Sequence, residues 1–175
     1  MLIAVINGPF GVGKSSAASL LVERMPSMML FDPEVIGSYL HRISGNVAMP
    51  EDYQDFPLWR HLVVDVGNRL CTDLKWDLIL PMCFWRHDYF DEIVNGLSGG
   101  GNTVMGFRLT CSHATLRERI LGRRDEDGGH EWCLQHMDIG LQSANDPRFG
   151  YEINTEDRSP AQVVDELISH LKLRI

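Results

Sequence analysis

At 175 residues the chain suits one compact domain of ordinary size, about 150 residues being typical, and two full domains are excluded. Hydrophobic residues make up 44% and charged residues 23%, the balance of a globular protein, which excludes disordered, collagen-like and disulfide-scaffold classes. The 16 basic and 24 acidic residues leave a formal charge of -8 without a dense Lys/Arg run. A nucleic-acid-binding stripe is thereby excluded, and any bound anion must be held locally.

The chain opens on an apolar run, Leu2 to Ile6, that has no basic flank and leads straight into glycines. It reads as a β-strand and not as a signal peptide. Further β-like runs follow at 28–31, 78–82, 103–109 and 150–153. Helical periodicity separates them over 14–25, 33–42, 57–75, 87–97, 114–123, 131–143 and 160–173, seven helices as an upper count. Strands alternating with helices predict βαβ units and a parallel sheet. The loop Ser98 to Asn102 and the charged stretch Asp125 to Gly129 read as connections too short to be domain linkers. The longest later apolar stretch, Leu78 to Trp85, is broken by Pro81 and falls far short of the ~20 residues that cross a bilayer. Four cysteines, Cys71, Cys83, Cys111 and Cys133, form no CxxC pair and read as free cytosolic thiols, which places the protein in the cytoplasm.

The first strand runs into Gly8-Pro9-Phe10-Gly11-Val12-Gly13-Lys14-Ser15, which matches G-x-x-x-x-G-K-[ST] between a strand and a helix. In such a P-loop the glycines let successive amide N–H groups surround a nucleotide's phosphates at a helix N-terminus. Lys14 supplies a cation to the β/γ oxygens, and the Ser15 hydroxyl is the expected protein ligand of Mg²⁺, with Ser16 beside it. The chain shows no N-K-x-D and no D-x-x-G switch at the end of a β-run, so a GTPase is disfavoured and a small-molecule or nucleotide kinase fits better.

The second strand ends at Asp32, which is expected at the carboxyl edge of the sheet beside the first strand and its P-loop. A carboxylate there orients an acceptor hydroxyl and takes its proton, or holds Mg²⁺ through water. Asp32 is equally an N-cap for a helix with Pro33 at its first position, and the two roles are compatible. Arg119 and Arg123, four apart with Arg117 and Arg124 flanking, read either as a lid that closes over the triphosphate or as a solvated face balanced by Glu118 and Asp125. Arg60 pairs with a substrate, or with Asp55 or Asp65.

Phe84, Trp85, Tyr89 and Phe90, with Tyr53, Phe56 and Trp59, read either as core or as the wall of an acceptor pocket, with Phe84 and Trp85 the candidates for the substrate. His130, Cys133 and His136 suggest a metal, but three-residue spacing on a helix gives only a partial ring of ligands. The closing segment holds Asn154 and Thr155 in a loop that commonly lines adenine in this fold, then an amphipathic helix. Lys172 and Arg174 are compatible with a membrane surface, but Asp165 and Glu166 oppose it, and packing on the sheet is preferred.

Three segments, Ile6 to Ser15, Phe31 to Gly37 and Asp55 to Arg60, together resemble the TmrB-like tunicamycin resistance proteins. The likeness extends to the strand at Leu78 to Met82, the Leu116 to Arg124 helix and the closing Ile153 to Thr155. More distantly the chain is similar to chloramphenicol phosphotransferases and to shikimate, gluconate and nucleotide kinases. The resemblance implies an α/β P-loop NTPase fold with a five-stranded parallel sheet in the order 2-3-1-4-5 and a helical lid over about 112–145, all within one domain, 1–175. It implies ATP with Mg²⁺ and a small-molecule acceptor, plausibly tunicamycin or another nucleoside- or sugar-containing molecule, and it puts Asp32 in the carboxylate position of antibiotic phosphotransferases. An ATP-dependent sequestering protein and a metabolic nucleoside or nucleotide kinase are the alternatives.

Overall fold

A computed structural model describes residues 1–45, 50–123 and 129–173. Arg124, the stretch Asp125 to Gly128 and Arg174, which the sequence reading invokes, lie outside the described residues. The strands are β1 (Leu2–Asn7), β2 (Met28–Leu30), β3 (Asp77–Met82), β4 (Thr103–Thr110) and β5 (Tyr151–Asn154). The helices are α1 (Lys14–Arg24), α2 (Pro33–Ser44), α3 (Pro57–Asp73), α4 (His87–Gly99), α5 (His113–Leu121), α6 (Gly129–Gln135), α7 (Met137–Ala144) and α8 (Pro160–Lys172). Short 3₁₀ turns occupy Tyr53–Asp55 and Pro147–Phe149.

All sheet pairings are parallel and the order is β2-β3-β1-β4-β5. The sheet is thus the P-loop architecture expected from the sequence. Every residue of β1 is buried, as befits a central strand covered on both faces. Its alternate side chains feed two cores. Ala4 and Ile6 meet Leu21 of α1 and Val164 and Leu167 of α8, while Ile3 and Val5 meet Trp59 and Val63 of α3 and Ile93 of α4.

Three features depart from the sequence reading. β3 lies between β2 and β1, so Asp32 follows a strand one place removed from the P-loop strand. The helix expected over 131–143 is two helices, α6 and α7, making eight among the described residues instead of at most seven. They part at His136, whose backbone (φ -97, ψ 5) leaves the helical track while its ring Nδ1–H donates to the Trp132 carbonyl at 2.8 Å. The break gives the two helices different surroundings: α6 buries no residue, whereas α7 buries Met137, Gly140, Ser143 and Ala144. Finally, α5 ends at Leu121 with Gly122 as its cap, so Arg123 stands beyond the helix that was expected to carry it.

The apolar face of α8, formed by Val163, Val164, Leu167 and Leu171, is buried in the sheet core. Its acidic residues are engaged within the fold, Asp165 with Arg24 and Glu166 with Arg158, each at 2.5 Å. Among the described residues no helix is long and apolar enough to cross a membrane.

Candidate active site

The site forms at the carboxyl end of β1, where the neighbouring strands β3 and β4 leave in opposite directions around the sheet, the place where open α/β sheets bind ligands. Asn7 fixes the exit of the strand. Its side chain is fully buried, accepts from the Phe84 N–H at 2.7 Å and donates to the Phe84 carbonyl at 3.1 Å, tying the ends of β1 and β3 together.

From there the loop climbs to α1 through left-handed backbone at Gly11 (φ +92) and Gly13 (φ +108). A side chain at Gly11 would meet Ile120 Cγ1 at 2.9 Å and Arg123 Nη2 at 3.2 Å, so the glycine also lets α5 and the following turn approach. Pro9 is buried, and α7 reaches it through Gly140, where a Cβ would meet Pro9 Cβ at 2.8 Å. No side chain caps α1, which leaves its first amide N–H groups for an anion.

The Lys14 ammonium donates to the carbonyls of Gly8 (2.8 Å) and Pro9 (3.0 Å) and stands 5.2 Å from the Phe10 ring centroid. Removal from water lowers its pKa below the usual lysine value, and Arg123 adds to the effect against the opposing pull of Cys83 and Glu34. Ser15 and Ser16 are exposed at the mouth of the cleft.

Three chambers meet around this loop. On one side a cavity of about 250 Å³ runs past Gly11, Gly13 and Ser16 to Arg119, Thr155 and Arg158. The middle cleft, about 520 Å³, is lined by the P-loop with Lys14, Ser15, Ser16, Arg123 and Glu34. On the far side lies a chamber of about 200 Å³ that shares Phe10 and Glu34 with the cleft and adds Asp52, Tyr53, Gln54, Trp85 and Trp132.

No protein-family model and no curated protein matches the chain. Solved structures do. The tunicamycin resistance protein of Deinococcus radiodurans superposes with a TM-score of 0.77 at 25% identity, covering 98% of this chain and 96% of that one. The chain shares that protein's fold over nearly the whole length of both. A gluconokinase from Sinorhizobium meliloti (TM-score 0.65, 18% identity, 97% and 90% covered) and a sugar kinase from Janibacter (TM-score 0.70, 14% identity, 98% and 94% covered) share the fold.

Within this shared frame the sequence-predicted residues divide. Arg119 and Thr155 meet in the first chamber. Asn154 instead turns its carboxamide oxygen to the Glu156 N–H at 2.7 Å and gives its carbonyl to Arg158. Arg123 reaches the middle cleft from beyond α5, whereas Arg117 lies with Glu118 along a separate groove.

Asp32 does cap α2, its Oδ1 accepting from the Glu34 N–H at 2.9 Å. The carboxylate that lines the cleft and the far chamber is Glu34, two residues on. Desolvation, reinforced by the adjacent Asp32 charge, raises the Glu34 pKa above the ordinary glutamate value.

Two expectations are corrected. Phe84 is fully buried in the core, edge-on to Phe90 at 5.6 Å, because alternation along the chain leaving β3 turns it inward while Trp85 turns out. Arg60 pairs neither with Asp55 nor with Asp65. Its Nε donates to Glu92 at 2.5 Å and its Nη1 to the Gln54 carbonyl at 2.5 Å, beneath the Tyr89 ring. Of the remaining aromatics, Tyr53 lines the far chamber, while Trp59 and Phe90 belong to the core.

Sequence reading missed Glu34, Gln54, Arg158 and Trp132. Trp132 sits on α6, packed edge-on against Phe10 at 4.7 Å and stacked on His136 at 4.2 Å. Among the described residues no group of His, Cys, Asp and Glu is placed to hold a metal ion, so the zinc suggestion at His130, Cys133 and His136 is not supported.

Proposed function

We propose that the protein is an ATP-dependent phosphotransferase that acts on a hydroxyl of a small nucleoside- or sugar-containing molecule, with tunicamycin as the first acceptor to try. The observation that carries this reading is the contiguity of the three chambers. The phosphate cleft shares Gly11, Gly13 and Ser16 with the first cavity and Phe10 and Glu34 with the far one. A protein that only held ATP would need the first two. A transferase needs the third, opening on the γ-phosphate.

In this reading the base lies in the first cavity beside Arg119, Thr155 and Arg158, and the phosphates lie on the P-loop amides. The acceptor oxygen attacks the γ-phosphorus, the bond from that phosphorus to the β–γ bridging oxygen breaks, and ADP leaves. Glu34, which lines both the cleft and the acceptor chamber, takes the hydroxyl proton. Asp32 supports it by capping α2 and by raising its basicity. Lys14 and Arg123, which line the cleft, neutralise charge on the transferring group, while Arg119 holds the nucleotide end of the site against Thr155 and the P-loop.

The residues also fit Mg²⁺ carried in with ATP. With no acidic cluster to hold a resident ion among the described residues, the phosphates would provide most ligands and Ser15 the protein hydroxyl. The ion supplies neutralisation of the β- and γ-oxygens. A cytoplasmic setting belongs to the same proposal and is supported by four free cysteines, two of them buried.

The test is incubation of the purified protein with Mg-ATP and tunicamycin, with a nucleoside panel alongside, read by mass spectrometry. A phosphate added to an acceptor is the expected result. ATP-dependent retention of the drug, with no acceptor phosphorylated, would overturn the transferase and leave a sequestering protein.

A further inference from the structure

We infer that the chamber beyond Phe10 selects ring-bearing molecules that are uncharged or amine-bearing and rich in hydrogen-bond donors, and that it rejects anionic ones. The inference rests on the transferase reading in that it names the acceptor class of that site.

Three independent observations carry it. The first is charge. The described residues lining the chamber include three carboxylates, Glu34, Glu51 and Asp52, and no Lys, Arg or His. The nearest cations of the P-loop region, Lys14 and Arg123, line the adjoining cleft, where they face the phosphates. A phosphate or carboxylate entering the chamber would meet like charge in a partly desolvated space.

The second observation is a buried acceptor without a donor. Gln54 is only 2% exposed, and its Nε2 donates to Asp52 Oδ2 at 3.2 Å and to the Cys83 carbonyl at 3.1 Å. Both partners are acceptors, which fixes the amide orientation. Oε1 is left with no hydrogen-bond partner among the described residues, although the side chain lines the chamber. A buried carbonyl left unsatisfied is destabilising, and a ligand N–H or O–H that reached it through a small shift of the Gln54 side chain would satisfy it.

The third is the wall. Phe10, Tyr53, Trp85 and Trp132 all line the chamber. Phe10 lies 6.3 Å from Trp85 and 4.7 Å from Trp132, ring centre to ring centre. Aromatic faces of this kind take the flat face of a base or the C–H face of a pyranose. Apolar walls bordered by three carboxylates therefore favour a ring with donors around its edge, while the Tyr53 hydroxyl and the indole N–H groups of Trp85 and Trp132 can meet its acceptors.

The experiment titrates the full-length protein, saturated with a non-hydrolysable ATP analogue and Mg²⁺, with two matched pairs, cytidine against cytidine 5′-monophosphate and glucosamine against glucosamine 6-phosphate. Heat of binding is the readout. The expected result is that the uncharged or amine-bearing member of at least one pair binds, and does so at least about tenfold more tightly than its anionic partner. Equal or tighter binding by an anionic member, or no binding of either cytidine or glucosamine at millimolar concentration, overturns the inference.

Gln54→Met should weaken the bound probe about tenfold with affinity for the ATP analogue retained. Trp132→Ala, at a position already 45% exposed and so safe for folding, should also weaken it. Unchanged probe affinity in both folded variants would overturn the donor-reading role. Mass spectrometry of the same mixtures with ATP separates the two readings. Selective binding without transfer sinks the transferase and leaves the selectivity standing. Phosphate added to cytidine monophosphate or glucosamine 6-phosphate in preference to cytidine or glucosamine sinks the selectivity and leaves the transferase.

Discussion

Arg119 grips Thr155 by two atoms at once, donating from Nη1 to the hydroxyl at 2.9 Å and from Nη2 to the backbone carbonyl at 2.8 Å. The same Nη1 reaches the Val12 carbonyl at 3.3 Å, so one guanidinium joins α5, the P-loop and the loop after β5. Thr155 is anchored in turn, its hydroxyl and its N–H both donating to the Thr110 carbonyl. Thr155→Val keeps the volume but removes that hydroxyl. The expected outcome is a loss of about 1–2 kcal/mol in urea unfolding and a several-fold rise in KM for ATP with kcat little changed. An unchanged KM would show that Arg119 is held without Thr155.

Glu34 sets a pH prediction. In the proposed transferase the Glu34 carboxylate is the base, so activity should fall as pH drops through its raised pKa, and the acid limb of kcat/KM should lie above 4.5, the ordinary value. Asp32→Asn retains a good N-cap and removes the neighbouring charge that helps raise Glu34, so the limb should move to lower pH. Glu34→Gln should lower kcat about 10²- to 10³-fold with ATP affinity intact. For stability the sign is opposite to that of a salt-bridged acid. A carboxyl whose folded pKa is raised contributes stability below its unfolded pKa, and this is lost as pH rises through the folded value. A limb that stays in place in Asp32→Asn would place the base elsewhere.

These two cases show what was legible in the chain and what was not. The P-loop could be read because its chemistry is written in consecutive residues, and the sheet because each strand is a local apolar run. Asp32 was visible as the carboxylate ending β2, but which of Asp32 and Glu34 turns into the cleft depends on the first turn of α2, where the cap engages one of them. Trp132 and Gln54 were missed for a different reason. Each owes its place to contacts across elements, Trp132 with Phe10 and Gln54 with Cys83, and no spacing within either segment announces them. The break at His136 was equally hidden, since apolar periodicity continues across it.

Arg60 is a positioning residue. Its side chain is 10% exposed and its partner Glu92 36%, and its second bond holds the carbonyl of Gln54, the residue whose amide lines the far chamber. Arg60→Met leaves Glu92 with only the 3.6 Å approach of His61 and, with Glu92 partly solvated, should cost about 1–2 kcal/mol in chemical unfolding. The kinetic signature is a raised KM for the acceptor with KM for ATP unchanged, because the P-loop does not touch this network. Arg60→Lys should recover only part of the stability, since one ammonium cannot serve both Glu92 and the Gln54 carbonyl in the fork geometry of a guanidinium. Equal loss of affinity for ATP and acceptor would show that the damage is global.

Phe84 and Trp85 are adjacent in sequence and opposite in consequence. Phe84 is fully buried, with its backbone fastened to Asn7 on both its N–H and its carbonyl. Trp85 lines the far chamber and stacks against His136 at 5.9 Å. Phe84→Ala should cost about 3–5 kcal/mol as a cavity opens in the core. Phe84→Leu should cost about 1 kcal/mol and leave acceptor KM unchanged. Trp85→Ala should do the reverse, raising acceptor KM several-fold with little change in thermal midpoint. Paired thermal melts and steady-state kinetics decide the matter: a Phe84→Leu protein of full stability but impaired acceptor affinity would return Phe84 to the pocket wall and empty the core argument of its force.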